Sequence, residues 1–268
     1  MDRNCISREY SKNYMIKPYL LRTPAYDNTS GGIKVMYGFY GWLLAKGMPA
    51  FLNTGINVPS IAIYPEIYDG NDMGGEKVIR YVLQKPGMMG RWEDGEFKSG
   101  PQAFDPKDEI YVFSRLYDEW DVDDDHVLFL PIIPLSVFYD QKKKRTKKAF
   151  YVGKGANWGN HPQDAIEITR QFANDQQALA DLLNECEVLY IYDRVSALME
   201  VARLCGTRVQ YYGELTLDEL KKYEPGLNGL GYKDEVKELT TEVFRGHYEG
   251  MIDTFEKRLD KFINLTQK

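Results

Sequence analysis

The sequence predicts an α/β protein made of two similar halves, each a parallel sheet covered on both faces by helices. Short apolar runs bounded by turn residues alternate with segments of helical period, the signature of strand–helix–strand units. With 43% hydrophobic residues in 268, the chain can bury a real core. The pattern is interrupted at "QKKKRTKK", residues 141–148, and a fresh strand–loop unit, "AFYVGKG", follows at once.

In chain order, "MIKPYLLRTP" reads as a short strand ending at Pro24, and "AYDNTSGG" is loop by composition. Helical periodicity runs from Ile33 to about Lys46 and stops at Gly47. "MPAFLN" and "SIAIYP" are apolar runs between turn signals, hence buried strands. "EKVIRYVLQK" reads as a helix ending before Pro86, and "EIYVFS" and "HVLFLPII" as two more strands. In the second half "DAIEITRQF" and "QALADLLNEC" read as helices, "EVLYIYD" and "RVQYYG" as strands, and "TLDELKKY" as a helix. From about Asp234 a helical tail carries Val236, Leu239, Val243, Tyr248, Ile252, Phe255, Leu259 and Phe262 at spaced positions. No fixed-period repeat is present.

A formal charge of -6 argues against wholesale nucleic-acid binding. Three cysteines, Cys5, Cys186 and Cys205, form an odd and sparse set that suggests reduced thiols inside a cell. "MDRNCISREYSKNY" has no apolar signal core. No apolar run approaches the roughly 20 residues that span a bilayer; the longest, "VLFLPIIPLSVF", is broken by Pro131 and Pro134. These features predict a cytoplasmic protein. The basic run 142–148 reads as a solvated linker or, more sharply, as a peripheral membrane or anion patch. The 20 tyrosines and 12 phenylalanines suit sugar faces and wet grooves, and they suit cores equally well.

The stretch "YIYDRVSALMEVARLCGTRV", residues 190–209, concentrates the chemistry. A strand ending at Tyr192 would lead into a helix capped by Asp193 and ended by Gly206. At 100° per residue, Leu198, Val201, Ala202 and Cys205 form the core face, while Ser196, Glu200 and Arg203 lie opposite in a row that Asp193 extends. Such a row is a cap plus a solvent face unless its position gives it a ligand. In open α/β sheets ligands sit outside the carboxyl ends of the strands, where a helix N-terminus suits phosphate. Lys154 in "YVGKG" falls at such an end, either as a turn lysine or as a counter-ion for a diphosphate. "GKGANWG" imitates a dinucleotide fingerprint, but its third glycine is one residue late.

"YDRVSALMEVARLCGTRV" resembles the donor-binding segment of GT-B glycosyltransferases, with Val201 in place of the usual alanine and Arg208 in place of proline. "SGGIKVMYGFYGWLLAKGMPAFL" resembles the opening unit of the same enzymes. "IAIYPEIYDGNDMGGEKVIRYVLQKPG" is similar to a segment of those of the bacterial polysaccharide and lipopolysaccharide type, keeping Tyr64, Pro65, Glu66, Gly70, Asn71, Val78, Arg80, Pro86 and Gly87. The resemblance implies a short GT-B fold, two Rossmann-like domains facing a cleft. Residues 1–140 would form the acceptor domain, with the tail 245–268 packing back on it, and 141–244 the nucleotide-sugar donor domain. It implies transfer of a sugar from a nucleotide-sugar donor to a saccharide or lipid-linked acceptor, with no cofactor and no metal. Glu200 would hold the ribose, Ser196 and Ala197 would lie near the diphosphate, and Lys154 and Asp193 would complete the donor site. Gly31 and Gly32 would let backbone approach the ligand. Tyr192 stands where retaining members carry a first glutamate, so the stereochemical outcome stays open.

Glycosyl transfer needs a base for the acceptor hydroxyl. Asp27, before the glycine pair, and Glu66, at a strand end, are the candidates, although Glu66 also reads as a buried structural carboxylate paired with Arg80. "DVDDDH", residues 121–126, precedes its apolar run and reads as a solvated loop rather than a metal site. Two rival readings stand beside this one: another nucleotide-sugar enzyme, and a non-catalytic nucleotide- or carbohydrate-binding relative.

Overall fold

The computed structural model describes residues 16–268 except Asp94 and Trp158. Cys5 and the N-terminal stretch considered above lie outside the described residues. The chain divides into two compact units, one of residues up to 130 with 254–268, the other of 131–253. Each holds a five-stranded parallel sheet, an arrangement consistent with two Rossmann-like domains.

The first unit contains β1 (Tyr19–Leu21), α1 (Gly31–Ala45), β2 (Ala50–Leu52), β3 (Ile61–Pro65), β4 (Lys77–Val82), a hairpin of β5 (Gly90–Glu93) and β6 (Glu96–Ser99), and β7 (Glu109–Val112). The sheet order is β2-β1-β3-β4-β7, every pair parallel. Gly31 and Gly32 open α1 behind Ser30, whose hydroxyl accepts the Ile33 N–H at 3.5 Å. Alternation along β1 sends Tyr19 to one face and Leu20 to the other. On the first face, Phe262 from the C-terminal helix meets Tyr19, Phe39 and Tyr111 at ring separations of 5.7, 5.4 and 4.9 Å. On the second, Leu20, Ala62, Tyr64, Tyr68 and Met73 form a buried cluster under loops rather than helices.

The second unit contains β8 (Lys147–Tyr151), β9 (Ile166–Glu167), α2 (Gln176–Glu185), β10 (Cys186–Ile191), α3 (Leu198–Leu204), β11 (Arg208–Tyr211), α4 (Leu217–Leu220) and β12 (Leu230–Tyr232). Its order is β12-β11-β10-β8-β9, again all parallel. The three helical crossovers step along the sheet in one direction, so the right-handed rule puts α2, α3 and α4 on one face. The β8–β9 connection returns the other way without a helix, and from it the His161 ring stacks on Phe150 at 3.8 Å. The final helix, α5 (Thr241–Thr266), contributes its residues up to 253 to this unit and the remainder to the first.

Several sequence expectations are corrected. "EKVIRYVLQK" is strand β4, not a helix: Val78, Ile79 and Val82 are β-branched, and residues 79–82 are buried in succession, as suits a strand covered on both faces. "DAIEITRQF" forms the two-residue strand β9 and a turn into a short 3₁₀ helix at Phe172–Asn174. "HVLFLPII" is largely buried but pairs through a single bridge, Val112 to Val127, and its Val127 and Leu128 carbonyls accept from the Arg258 and Tyr81 side chains instead of a neighbouring strand. The helix after β10 starts at Leu198 rather than Asp193. The run 141–148 is not a free linker, since β8 begins at Lys147. Lys142, Lys143, Arg145 and Lys147 are each held in ion pairs, to Asp140 and Glu242, to Asp181, to Asp140, and to Glu185. Among the described residues no helix is long and apolar enough to cross a membrane.

Candidate functional site

The carboxyl ends of β8, β9, β10 and β11 bring polar groups of the second unit together. Asp193 lies two residues beyond the end of β10 and is 8% exposed. The turn after β8 is drawn tightly against it. A Cβ on Gly153, which has φ +58°, would sit 2.7 Å from the Asp193 Cγ, and one on Gly155 would sit 2.6 Å from the Tyr192 carbonyl carbon. Only glycine fits this approach, so the glycines of "YVGKG" place Lys154 beside Asp193. Burial pushes the Asp193 carboxyl above the usual carboxylate range, opposed by the backbone N–H groups of Arg194 and Lys154 and by the charges of Lys154 and Arg170.

Arg170 comes from the turn after β9 and is exposed, as is Lys154. Arg194 follows Asp193. Its carbonyl accepts the Tyr211 hydroxyl at 2.9 Å, and that hydroxyl in turn accepts the Leu215 N–H at 3.1 Å, tying the ends of β10 and β11 together. The guanidinium of Arg194 lies 3.9 Å from Glu219. Two cations from two loops, Lys154 and Arg170, therefore act on one buried carboxylate, and Arg194 contributes its backbone N–H. Sequence reasoning found Lys154 and missed Arg170. Arg170 lies in a stretch read as helix, and nothing in its spacing from Lys154 or Asp193 marks it.

The helix-start chemistry differs from the expectation. Ser196 and Ala197 precede α3, and Ser196 supplies partners for its first N–H groups, with Oγ accepting from Leu198 at 3.3 Å and the carbonyl from Met199 at 3.0 Å. All seven residues of α3 are buried, so Glu200 and Arg203 form no solvent stripe with Asp193. They are 4% and 0% exposed. The Tyr223 hydroxyl donates to Glu200 Oε1 at 2.6 Å. Arg203 donates to the carbonyls of Met199, Gly226 and Asn228 and lies over the Phe244 ring at 4.1 Å. Burial pushes the Glu200 carboxyl up to about 7, with Tyr223 and Arg203 opposing it.

In the first unit Asp27 lies in the β1–α1 loop and Glu66 follows β3, so both fall at the carboxyl edge of that sheet. Asp27 is half-buried and accepts the Thr29 N–H at 2.8 Å. Glu66 is 4% exposed and accepts the Leu83 N–H at 2.9 Å. Arg80 has Asp108 as its carboxylate partner at 2.6 Å and also donates to the Tyr68 and Gly70 carbonyls. Gly31 and Gly32 begin the first turn of α1, and Gly31 is exposed with open space around it. In "DVDDDH", Asp123 caps a short 3₁₀ helix and bonds His126, while Asp124 pairs with Arg115 and Asp125 with Lys261. No trio of His, Cys, Asp or Glu among the described residues is grouped as metal ligands.

No protein-family model and no curated protein matches this chain. Among solved structures it is similar to the spinosyn forosaminyltransferase SpnP, at 11% identity over 93% of this chain and 94% of that one. The TM-score is 0.33, and a likeness at that level carries no argument here.

Proposed function

We propose that the chain transfers a glycosyl group from a nucleotide-sugar donor to a saccharide or lipid-linked acceptor. The observation that carries this reading is the gathering of Lys154 and Arg170 around Asp193 at the carboxyl edge of a parallel sheet. Two positive charges against one carboxylate leave a net positive charge suited to a diphosphate, in the position where open α/β sheets hold nucleotides. The resemblance of three sequence segments to GT-B glycosyltransferases supports the same reading.

In this proposal Lys154 and Arg170 hold the diphosphate and neutralise it as it departs, without calling on a metal. Ser196 and Ala197 line the same edge. The acceptor hydroxyl oxygen bonds to the anomeric carbon as the bond to the diphosphate oxygen breaks, and the hydroxyl proton passes to a carboxylate. Asp27 is the better exposed of the two candidates for that carboxylate. Glu200, enclosed with Tyr223, acts from beneath the site by fixing α3 rather than by presenting its carboxylate to solvent.

Thermal-shift titration with UDP-, GDP- and dTDP-sugars, followed by a donor-hydrolysis assay, tests the proposal. One donor should raise the melting temperature, and Lys154→Ala should reduce the rise at the same donor concentration, as a roughly tenfold weaker affinity does. If no nucleotide shifts the wild-type transition, the assignment fails.

A further inference from the structure

The ring of His161 is held on every side but one. It stacks on Phe150 at 3.8 Å and 9° and stands edge-on to Tyr192 at 5.6 Å and 75°, with Nδ1 2.8 Å from the Tyr192 hydroxyl oxygen. Tyr192 is fully buried, and burial pushes its hydroxyl up, so it keeps its proton. The backbone N–H groups of Asn160 and His161 are directed at the hydroxyl oxygen, which leaves the hydroxyl's own hydrogen to go to Nδ1. Nδ1 is therefore the acceptor, and the neutral ring carries its proton on Nε2. That Nε2–H has no partner among the described residues, and His161 is half-buried. The result is a fixed ring with one donor free for a ligand.

We infer that the Nε2–H of His161 donates to the keto oxygen of a nucleobase, O4 of uracil or thymine or O6 of guanine. This rests on the donor-site reading above and adds which nucleotides that site takes. The connection that begins with the Lys154 turn runs on to His161, and both meet the end of β10. A Cβ on Gly155 would lie 2.6 Å from the Tyr192 carbonyl carbon, while His161 bonds the hydroxyl of the same residue. On the helix-covered face the loop after β11 closes the edge. A Cβ on Gly213 would lie 2.6 Å from the Asp193 carbonyl oxygen, and the Tyr211 hydroxyl ties Arg194 to Leu215. A nucleotide with its diphosphate at Lys154 thus has the helix-free face for its base. Tyr190 and Tyr212 are half-buried there, 6.4 Å apart and 22° from parallel, and the Tyr212 hydroxyl is anchored to Asp234 at 2.9 Å. His161 lies inward of the edge, over Phe150, whose register partner is Tyr190. It meets the end of the base farthest from the ribose, where uracil and guanine present an oxygen and cytosine and adenine an amino group. Two N–H groups facing each other there leave both unsatisfied.

The test is a calorimetric titration of the purified chain with UDP, CDP, GDP and ADP. The tightest of the four should carry a keto base and exceed its amino counterpart about tenfold. His161→Ala should weaken the keto nucleotide about tenfold, the scale of one hydrogen bond, and leave its amino counterpart unchanged. His161→Gln, which keeps a side-chain N–H near the same point, should recover part of the difference. Lys154→Ala should weaken all four alike, which separates this inference from the donor-site reading. Equal losses for keto and amino nucleotides in His161→Ala, no loss for either, or a preference for CDP or ADP overturns the base contact and leaves the phosphate site standing. If none of the four binds, both fail together. Nitrogen NMR checks the ring itself: Nε2 should be the protonated nitrogen of neutral His161, and a proton on Nδ1 overturns the inference as well.

Discussion

The Glu200 carboxylate and the Tyr223 hydroxyl are joined at 2.6 Å inside the second unit, where both residues are at least 95% buried. One hydrogen bond and the nearby Arg203 do not offset the loss of water, so the carboxyl keeps its proton up to about pH 7. The consequence for stability has a definite sign. Below about pH 4.5 the folded and unfolded chains both hold the proton. Between 4.5 and 7 the unfolded chain releases it while the folded chain keeps it, and stability falls. Above 7 the full cost applies, on the order of 3 kcal/mol for the difference between 4.5 and about 7. Glu200→Gln should therefore be more stable than the wild type at pH 8, with the advantage shrinking to nothing towards pH 4.5. Urea titrations across that range measure it. A difference independent of pH would show that the carboxyl does not titrate in this window.

Arg80 and Asp108 form the corresponding buried pair of the first unit, with side chains 2% and 7% exposed. The guanidinium also lies over the Tyr64 ring at 4.9 Å and the Phe104 ring at 5.4 Å. Removing one member of such a pair leaves a charge in a poorly solvated place, which costs about 3–5 kcal/mol. Asp108→Ala should lose stability on that scale in urea, and Asp108→Asn less. A loss below about 1 kcal/mol would mean that the Tyr68 and Gly70 carbonyls hold the guanidinium unaided.

Lys154 and Arg170 reach Asp193 from the turns after β8 and β9, and both are exposed. Their proposed work is done on a diphosphate. Lys154→Ala and Arg170→Ala should each weaken nucleoside diphosphate binding about tenfold, the scale of one charge-assisted hydrogen bond. Nucleoside binding should barely change. Added salt should weaken the wild type more than either variant, because exposed charges are screened. Calorimetry at two salt concentrations checks both points, and equal losses for nucleoside and diphosphate would remove these cations from the phosphate site.

The parallel strands were legible because each is a short apolar run between turn residues, as in "SIAIYP" and "EVLYIYD". "EKVIRYVLQK" was not, because a buried strand has no alternation and short apolar runs do not distinguish strand from helix. The hairpin Gly90–Ser99 escaped notice since its aromatic residues do not face a core. Part of the second site was visible in sequence: "YVGKG" marked the turn and Lys154, and "YDR" marked the end of β10. What stayed hidden was set by tertiary placement. On a helical wheel Glu200 falls opposite the core face, but α3 is buried at every residue and Tyr223 closes over the carboxylate. Arg170 is near Asp193 only because β9 lies at the edge of a sheet whose order no local pattern encodes.

Gly155 offers the sharpest test of the turn that carries Lys154. Its N–H donates to the Val152 carbonyl at 2.9 Å, closing the turn, and a Cβ on it would meet the backbone carbonyl of Tyr192 rather than a movable side chain. Neither partner can yield without lifting the 152–155 turn off Asp193. Gly155→Ala should therefore cost about 1–3 kcal/mol, as overpacking does, and should also lose nucleotide affinity because Lys154 moves with the turn. Gly41→Ala is the matched control. Gly41 lies in the interior of α1 with open space around it, so alanine should add about 0.5–1 kcal/mol of stability and leave nucleotide affinity unchanged. Urea unfolding and calorimetric titration of both variants separate the outcomes. Lost stability with intact nucleotide affinity in Gly155→Ala would show that the turn is structural and that Lys154 works from elsewhere or not at all.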